Sequence, residues 1–240
     1  MSRQLKMTAA TVAVAALILV GGPWVYINVI RDPAPESFLT EAATTTVVAL
    51  DEESSTEPTD PVDTAVAIDD PTGTWRITSD SQVGYRVDEV LFGQNVTAVG
   101  RTADVTGSLL IGDGAVTSGD FTVDMTTVRS DEPKRDAQFE GRIMDVINYP
   151  TASFVLTSPI PLDSAATASP TTRTAMGNLT LRGVTKPVTV TVVSEIRNTS
   201  IVVTGEFAVT FAEWGIPNPS IPGISTEDIG VLEFQLVLER

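Results

Sequence analysis

The sequence predicts a mainly β protein over residues 72–240, built as an antiparallel barrel or sandwich. Short runs alternate between apolar and polar residues, as in "TSIVVTGEFAVTFAEW" and "GVLEFQLVLER". These runs recur at hairpin spacing, and Asp113-Gly114 separates two of them in a way that is typical of a tight turn. About eight to ten strands follow from this pattern, each with one apolar face turned inward and one polar face turned outward.

The individual elements follow in chain order. "TWRI" and "VGYRVDEV" are the first two strands, and "DVTGSLLIGDGAVTSGDFTVDMTTV" is the hairpin around Asp113-Gly114. "SDEPKRDAQFEGRIMDV", residues 130–146, begins with a capping residue and carries many charges, which predicts a short helix outside the sheet. "ASFVLTSPI" is a further strand, and two alternating runs close the chain.

The stretch "NLTLRGVTKPVTVTV" is predicted to be a hairpin rather than a phosphate clamp. It holds two basic residues and one glycine, unlike a glycine-rich phosphate cradle. Gly183 can adopt positive φ and Pro187 restricts its own φ, so both favour chain reversal. We therefore expect Arg182 and Lys186 to lie in solvent at the rim.

The N-terminal region predicts a membrane anchor. Residues 7–30 are uncharged, and a helix of this length spans about 36 Å, enough for the bilayer core. Arg3 and Lys6 precede the run, which places the N-terminus in the cytoplasm and the barrel outside the cell membrane. The alternative is a signal peptide cleaved after Gly22 and a secreted barrel, although Pro23 would then follow the cleavage site.

An acidic linker is predicted between the anchor and the barrel. Residues 31–71 hold eleven acids against Arg31 and are rich in Pro and Thr, which favours an extended, disordered chain. The predicted organisation is therefore a cytoplasmic tail at 1–6, an anchor at 7–30, a linker at 31–71 and a barrel at 72–240.

Composition excludes several functions. The formal net charge of −16 argues against a nucleic-acid partner, because phosphate binding needs a basic surface. The chain has no cysteine and no histidine, which removes disulfides, the Ser-His-Asp triad and the usual metal ligands. No nucleophile elbow or P-loop motif is present. We therefore expect a protein that is not an enzyme and holds no metal.

Five segments occur in the order that is typical of one family. They are "SDSQVGYRVDE", "TAVGRTADVTGSLLI", "SDEPKRDAQFEGRIMDVINYPTASFVLT", "GNLTLRGVTKPVTVTV" and "FAEWGIPNPS" with "IGVLEFQL". On these segments residues 72–240 resemble the YceI-like family. The resemblance implies a lipocalin-like antiparallel barrel of about eight strands that binds a polyisoprenoid lipid. The residues that match its structural motif are Arg135, Asp136, Asp145, Tyr149, Pro150, Gly183 and Pro187.

The chain departs from the family in one respect. Many members carry a His-Ser pair near the first strands, whereas this chain has Asp80-Ser81 and no histidine at all. A histidine contact to a ligand head group is therefore not carried over.

Alternation also predicts which residues face the barrel interior. They are Val83, Tyr85, Val87, Val123, Met125, Phe154, Leu156, Leu179, Leu181, Val188, Val190, Phe207, Val209, Phe234 and Leu236. An eight-stranded barrel is either packed by such side chains or wide enough for one ligand. The residues alone favour a filled core, and the family resemblance favours an apolar cavity.

Polar residues near these faces have two interpretations each. Tyr85 would project inward, where its hydroxyl meets either a ligand oxygen or a backbone group, whereas Arg86 would point outward into solvent. Arg135 and Asp136 either face a ligand or form an ion pair that fastens the helix to the barrel. Asp145 has the same two interpretations, the structural one being a hydrogen bond within its turn.

The sequence as a whole predicts a membrane-anchored, extracytoplasmic protein of the bacterial envelope. We expect it to hold a polyisoprenoid or isoprenoid quinone in the barrel, in the service of envelope transport or stress protection. Its partners would be that lipid and the membrane, with no other cofactor, and a homodimer is left open. The alternative is a solid barrel that acts as a cell-surface interaction module without a lipid ligand.

Overall fold

The computed structural model describes residues 25, 27, 29, 33–39, 68, 70–162, 170–197 and 199–240. Most of the predicted anchor and linker, and the tail at 1–6, lie outside them. Within the described residues, no helix is both long and apolar enough to cross a bilayer.

The described chain is mainly β, as predicted. Its strands are β1 (Gly73–Ile77), β2 (Gln82–Leu91), β3 (Gln94–Thr102), β4 (Val105–Gly112), β5 (Ala115–Asp124), β6 (Arg129–Ser130), β7 (Thr151–Leu156), β8 (Ile160–Pro161), β9 (Thr171–Leu181), β10 (Val184–Arg197), β11 (Ser200–Thr210), β12 (Ile224–Thr226) and β13 (Ile229–Glu239). One short α-helix, α1 (Pro133–Gln138), continues into a π-helical turn at Phe139–Ile143. Two 3-10 turns lie at Met125–Thr127 and Phe211–Trp214.

These strands form one closed antiparallel barrel, which confirms the predicted barrel and excludes a sandwich. The hydrogen-bonded order is β1-β4-β5-β7-β9-β10-β11-β13-β2-β3-β6, and β1 also pairs with β13. Short breaks divide five longer strands, into β1 and β2, β3 and β4, β5 and β6, β7 and β8, and β12 and β13. Counting each interrupted strand once gives eight strands, and chain neighbours are also neighbours in the barrel. A closed barrel has no edge strand with unpaired backbone groups.

Hairpin tips define the two ends of the barrel. The tips of β2–β3 and β9–β10 lie at one end together with α1, and we call this the Arg135 end. The tips of β4–β5 and β10–β11 lie at the opposite end, called the Trp75 end because fully buried Trp75 packs there beside Leu109. The tip residues Asp113 and Gly114, and Arg182 and Gly183, all have positive φ, as the predicted tight hairpins require.

The helical excursion is attached to the barrel wall through its first turn. The predicted helix at 130–146 forms at 133–143, where Pro133 occupies the first turn and the Glu132 side chain accepts a hydrogen bond from Lys134 N. Asp136 Oδ1 accepts hydrogen bonds from Ser130 N at 2.8 Å and Ser130 Oγ at 2.6 Å. Asp136 therefore ties α1 to β6 rather than facing the barrel interior.

Residues 33–39 lie against the outer wall of the barrel, and we call them the strap. The Phe38 side chain is only 3% exposed, and the Arg101 guanidinium carbon lies 3.9 Å from its ring centroid. Arg86 Nη1 donates to Pro35 O at 2.8 Å. The expectation that Arg86 is solvated was therefore wrong: the side chain is largely covered because a distant segment of the chain packs over it.

Glu233 lies beneath the strap as a buried carboxylate on the outer wall. Arg101 Nη2 is 2.9 Å from Glu233 Oε1, and Arg86 Nη1 is 3.7 Å from Oε2. Oε2 has no hydrogen-bond partner among the described residues. Burial raises the pKa of the Glu233 carboxyl, and the two guanidinium groups oppose that effect.

Candidate ligand-binding cavity

A cavity of about 330 Å³ lies inside the barrel. It runs between the two ends and has walls contributed by every long strand. All fifteen residues predicted to face inward line it: Val83, Tyr85, Val87, Val123, Met125, Phe154, Leu156, Leu179, Leu181, Val188, Val190, Phe207, Val209, Phe234 and Leu236. A cavity of this size is within the range of small-molecule sites. The barrel is therefore hollow rather than filled, and ligand binding by these residues stays a prediction.

Aromatic rings packed over glycines help to keep the cavity open. Phe234 is directly opposite Gly205 across β11 and β13, and a Cβ added to Gly205 would lie 2.5 Å from Phe234 Cζ. The ring thus fills the space beside the barrel wall that a side chain would otherwise occupy. Cross-strand pairing of an aromatic ring with a glycine is a recognised device in curved sheets.

The same arrangement recurs elsewhere around the interior. Tyr85 is directly opposite Gly100, where an added Cβ would lie 2.4 Å from Tyr85 Cε1. Phe154 packs in the same way over Gly177 on the neighbouring strand, with Cζ 2.2 Å from the position of an added Cβ. Glycine at these positions therefore lets large rings lie close to the wall and leaves space along the barrel axis.

The Arg135 end of the cavity carries charged and phenolic groups. The Arg135 side chain is 16% exposed, and its Nη2 lies 3.7 Å from Glu89 Oε2 on β2. The Arg135 guanidinium also forms an ion pair with Asp131. Arg135 and Glu89 both line the cavity. The predicted ion pair that fastens the helix to the barrel is present, but it is made by Arg135 with Glu89, and Asp136 has a separate role.

Tyr85 lies next to this ion pair. Its ring stacks on Phe139, with centroids 5.1 Å apart and an interplanar angle of 11°. Burial raises the pKa of the Tyr85 phenol, so the group stays neutral at physiological pH. A neutral phenol can donate or accept one hydrogen bond, which suits a carbonyl or hydroxyl oxygen at this end of the cavity.

The Trp75 end also carries polar groups. Arg173, Ser194 and Glu195 line the cavity there, and Arg173 Nε donates to Pro161 O at 3.2 Å. Ile68 is buried at this end and also lines the cavity. In the described part of the chain, charged side chains therefore line the cavity only near its two ends, and the middle is apolar. Such a distribution suits a long molecule with an apolar chain.

The remaining family-motif residues build the frame of the Arg135 end. Asp145 has φ of 51° and its two carboxylate oxygens each accept from Asn148 Nδ2 at 3.0 Å, within the turn as predicted. Tyr149 packs on Gly183 at the tip of the β9–β10 hairpin, and Gly183 has a φ of 75°. Pro150 O accepts from Met125 N at 2.8 Å. None of these four residues lines the cavity.

Two other motif positions have structural roles. Pro187 lies in β10 before that strand begins to pair with β11. Because no β11 residue is opposite Pro187, its missing backbone N–H removes no hydrogen bond between β10 and β11. Ser81, which takes the serine position of the family's His-Ser pair, is fully buried at the break between β1 and β2. Its hydroxyl accepts from Val237 N at 2.9 Å and lies 3.2 Å from Val237 O.

Arg182 and Lys186 are not free in solvent, contrary to the sequence-based expectation. Arg182 Nη1 donates to Gly215 O, and Lys186 Nζ lies 3.1 Å from Glu213 Oε2. Both side chains brace the turn that follows β11. The interpretation of this segment as a hairpin is confirmed, because Leu181 pairs with Val184 across a two-residue tip.

Sequence reasoning missed part of the lining. Val105, Leu109 and Ile111 of β4 line the cavity, and their spacing of two and four residues was a signal that could have found them. Phe139 and Ile143 also line it, at the four-residue spacing of a helical face. Ile68, by contrast, sits in an acidic segment with no sustained period, so no local pattern pointed to it.

An eight-stranded antiparallel barrel around an apolar cavity defines the class of small barrels that can enclose one ligand. Within that class, the chain belongs to the YceI-like family: the family model of the YceI-like domain matches residues 75–238. The recognised resemblance is thereby confirmed. No curated protein matches the chain.

Solved structures share this fold, among them two with a TM-score of 0.54. BcnA of Burkholderia cenocepacia is 19% identical, with a TM-score of 0.54, and the match covers 67% of this chain and 98% of BcnA. A polyisoprenoid binding domain from Saccharophagus degradans, implicated in plant cell wall breakdown, is 14% identical, with a TM-score of 0.54 and coverage of 69% and 97%. At these identities the likeness concerns the fold.

Proposed function

We propose that this protein binds a long isoprenoid lipid, either a polyisoprenoid or an isoprenoid quinone, inside the barrel. The observation that carries the proposal is the cavity itself, whose wall is apolar along its middle and polar only at its ends. The fold shared with a polyisoprenoid binding domain supports the choice of lipid class. A solid barrel that serves only as an interaction module is disfavoured by the same cavity.

Burial of the lipid chain supplies the affinity. Each Å² of apolar surface removed from water contributes about 25 cal/mol, so 300 Å² of lipid chain contributes about 7.5 kcal/mol before the cost of association. Branched isoprene units fill the space between valine and leucine side chains by dispersion contacts without any hydrogen bond. Affinity therefore depends on the whole wall rather than on one dominant residue.

The Arg135 end is the better position for a polar head group. Tyr85 offers a neutral hydroxyl there, and the Arg135 guanidinium offers a charged donor beside it. A quinone carbonyl or a terminal hydroxyl accepts a hydrogen bond from either group. The lipid chain would then extend toward the Trp75 end.

We further infer that the protein is anchored in the cell membrane by residues 7–30, with the barrel outside the cytoplasm. The uncharged run and the basic residues before it support this orientation. Anchoring places the barrel beside the membrane that supplies isoprenoid lipids. Its role there is to carry or sequester such lipids in the envelope, for transport or stress protection. If residues 7–30 are instead a cleaved signal, the barrel is secreted.

Native mass spectrometry of the full chain in detergent tests lipid binding. The protein should carry a bound species that matches an isoprenoid lipid in mass, and extraction with organic solvent should recover that lipid. Added prenol should also displace a hydrophobic dye from the barrel. A protein that stays at its bare mass after prenol is supplied, and that takes up no dye, would refute the proposal and favour the interaction module.

A further inference from the structure

We propose that the Arg135 end of the barrel docks directly on the surface of a lipid bilayer, so that the cavity is presented to the membrane. This inference rests on the proposed membrane anchoring and lipid binding, and it adds the surface by which the barrel meets its lipid supply. The docking surface, here called the apolar rim, consists of six side chains: Val90, Phe92, Ile147, Tyr149, Ile221 and Ile229.

Exposure of large apolar side chains is concentrated at this end. Within residues 70–162, 170–197 and 199–240, nine large apolar side chains are exposed, and six of them form the apolar rim. Ile147 is 90% exposed and Phe92 is 63% exposed. At the Trp75 end the structure shows only Leu110 exposed, and the sequence of residues 163–169, which it does not describe, holds only Asp, Ser, Ala and Thr. A concentration of exposed apolar side chains at one end of a molecule is typical of an interaction site.

Rim residues lie on separate elements that are each held in place by packing. Phe92 is at the tip of the β2–β3 hairpin and packs against Gly223, with Cε1 2.8 Å from the position of an added Cβ. Tyr149 packs against Gly183 at the β9–β10 tip. The rim is therefore a preformed surface that surrounds the Arg135 end rather than one mobile loop.

The strap shows in which direction the chain leaves the barrel. Phe38 packs on Arg101, and residues 33–35 line a surface groove that extends from Arg101 to Thr97 on β3 and to Ser130 and Asp131 before α1. Thr97 is nearer than Arg101 to the β2–β3 tip. Traced from residue 38 back to residue 33, the strap therefore runs along the wall toward the Arg135 end.

The apolar run at 7–30 ends three residues before Pro33. Three residues span at most about 10 Å, so a bilayer that holds this run has its surface within about 10 Å of the docked Pro33. Thr97 is opposite Asp88, and Phe92 lies four residues beyond Asp88, about 13 Å farther along the wall in the direction in which the strap leaves it. The rim therefore reaches at least as far as the bilayer surface, and its apolar side chains enter the headgroup layer.

This placement identifies the partner as the bilayer in which the same chain is anchored. A protein partner is not needed to cover the rim, because the short connection already holds the rim at the membrane. A lipid can then pass between the bilayer and the cavity at the Arg135 end without crossing water. The length of residues 40–67, the middle of the predicted linker at 31–71, does not weaken this geometry, because the strap precedes them in the chain.

Single-cysteine labelling of the full chain tests docking, since the chain has no cysteine of its own. Ile147→Cys on the rim and Leu110→Cys at the Trp75 end are each labelled with an environment-sensitive fluorophore. The protein is reconstituted into phosphatidylcholine and phosphatidylglycerol vesicles that contain a lipid-borne quencher. The label at 147 should shift to the blue and be quenched by the lipid, whereas the label at 110 should stay accessible to aqueous iodide. Equal accessibility of both labels to iodide would overturn docking.

A rim variant tests the consequence for lipid transfer. Phe92→Ser combined with Ile147→Ser should slow transfer of a fluorescent prenol from vesicles several-fold and leave uptake from detergent solution unchanged. Equal transfer rates from vesicles for the variant and the native chain would count against docking. Failure of the native chain to take up prenol even from detergent would overturn lipid binding instead, and the label experiment would then judge docking by itself.

Discussion

Phe234 and Gly205 face each other across β11 and β13, and the Phe234 ring occupies the space where a side chain of Gly205 would be. Large rings usually reduce the free space inside a small barrel. Here the ring lies beside the wall because its neighbour has no Cβ, and the same relation holds for Tyr85 and Gly100. The cavity volume therefore depends on a few glycines as much as on the apolar residues that line it.

Gly205→Ala should reduce the cavity. The new methyl group would lie 2.5 Å from Phe234 Cζ, which forces the ring away from the wall. We expect a loss of about 1–3 kcal/mol in the free energy of unfolding, typical of overpacking, and weaker prenol binding. The control is Gly119→Ala, whose methyl group would meet its neighbours at 3.7–3.8 Å. Thermal melting and a prenol titration compare the two, and equal behaviour of both variants would contradict the role of the ring.

Val190→Trp should block the cavity while the barrel stays folded. Val190 lines the cavity in the middle of β10, and Thr189 beside it points outward. We expect Val190→Trp to abolish dye and prenol uptake at a stability cost of about 1–3 kcal/mol. Thr189→Trp is the matched control and should bind like the native chain. Unchanged uptake by a folded Val190→Trp variant would place the ligand somewhere other than the cavity.

Two variants at the Arg135 end distinguish the contribution of ring packing from that of the Tyr85 hydroxyl: Phe139→Ala removes a ring, and Tyr85→Phe removes only the hydroxyl. Phe139→Ala removes the ring on which Tyr85 stacks and leaves a void, so it should cost about 3–5 kcal/mol in the free energy of unfolding. Tyr85→Phe keeps the ring and should change the melting temperature little. If the phenol contacts a head group, Tyr85→Phe weakens binding of a quinone more than binding of a plain isoprenoid hydrocarbon. Equal affinity losses for the two ligands would argue against that contact.

The buried carboxyl of Glu233 should make stability depend on pH. Its pKa is raised above the usual 4.5 by burial, so the folded state binds this proton more tightly than the unfolded chain does. The contribution of Glu233 is therefore fully present below about pH 4.5 and is lost as pH rises through the raised pKa. Denaturant unfolding of the native chain and Glu233→Gln at a series of pH values measures the difference. Identical pH profiles would show that Arg101 and Arg86 cancel the effect of burial.

The double variant Arg182→Ala and Lys186→Ala should lose stability but keep lipid binding. Arg182 donates to Gly215 O and Lys186 pairs with Glu213, so both hold the turn after β11. A charged hydrogen bond contributes about 1.5–3 kcal/mol, whereas the more exposed lysine pair adds little. Neither side chain lines the cavity. Urea unfolding measures the loss, and a large decrease of prenol uptake in the folded variant would instead assign these residues to the ligand.

Local sequence patterns determined the strands and their faces. A strand has a period of two residues, so alternation assigns each side chain to a face without knowledge of the partner strand. For this reason the fifteen predicted residues all line the cavity. Asp113-Gly114 and Arg182-Gly183 were found as turns on equally local grounds, because their positions need positive φ. The family segments added that these strands close into a barrel.

Tertiary structure alone decided whether the barrel is hollow and what covers its outer wall. Cavity volume depends on which residues meet across neighbouring strands, as Phe234 meets Gly205, and that register is not contained in either strand by itself. Arg86 is likewise outward-facing by alternation, yet it is covered because residue 35, 51 positions earlier in the chain, docks on it. The sequence by itself thus determined the direction of each side chain, and long-range contacts determined what that side chain meets.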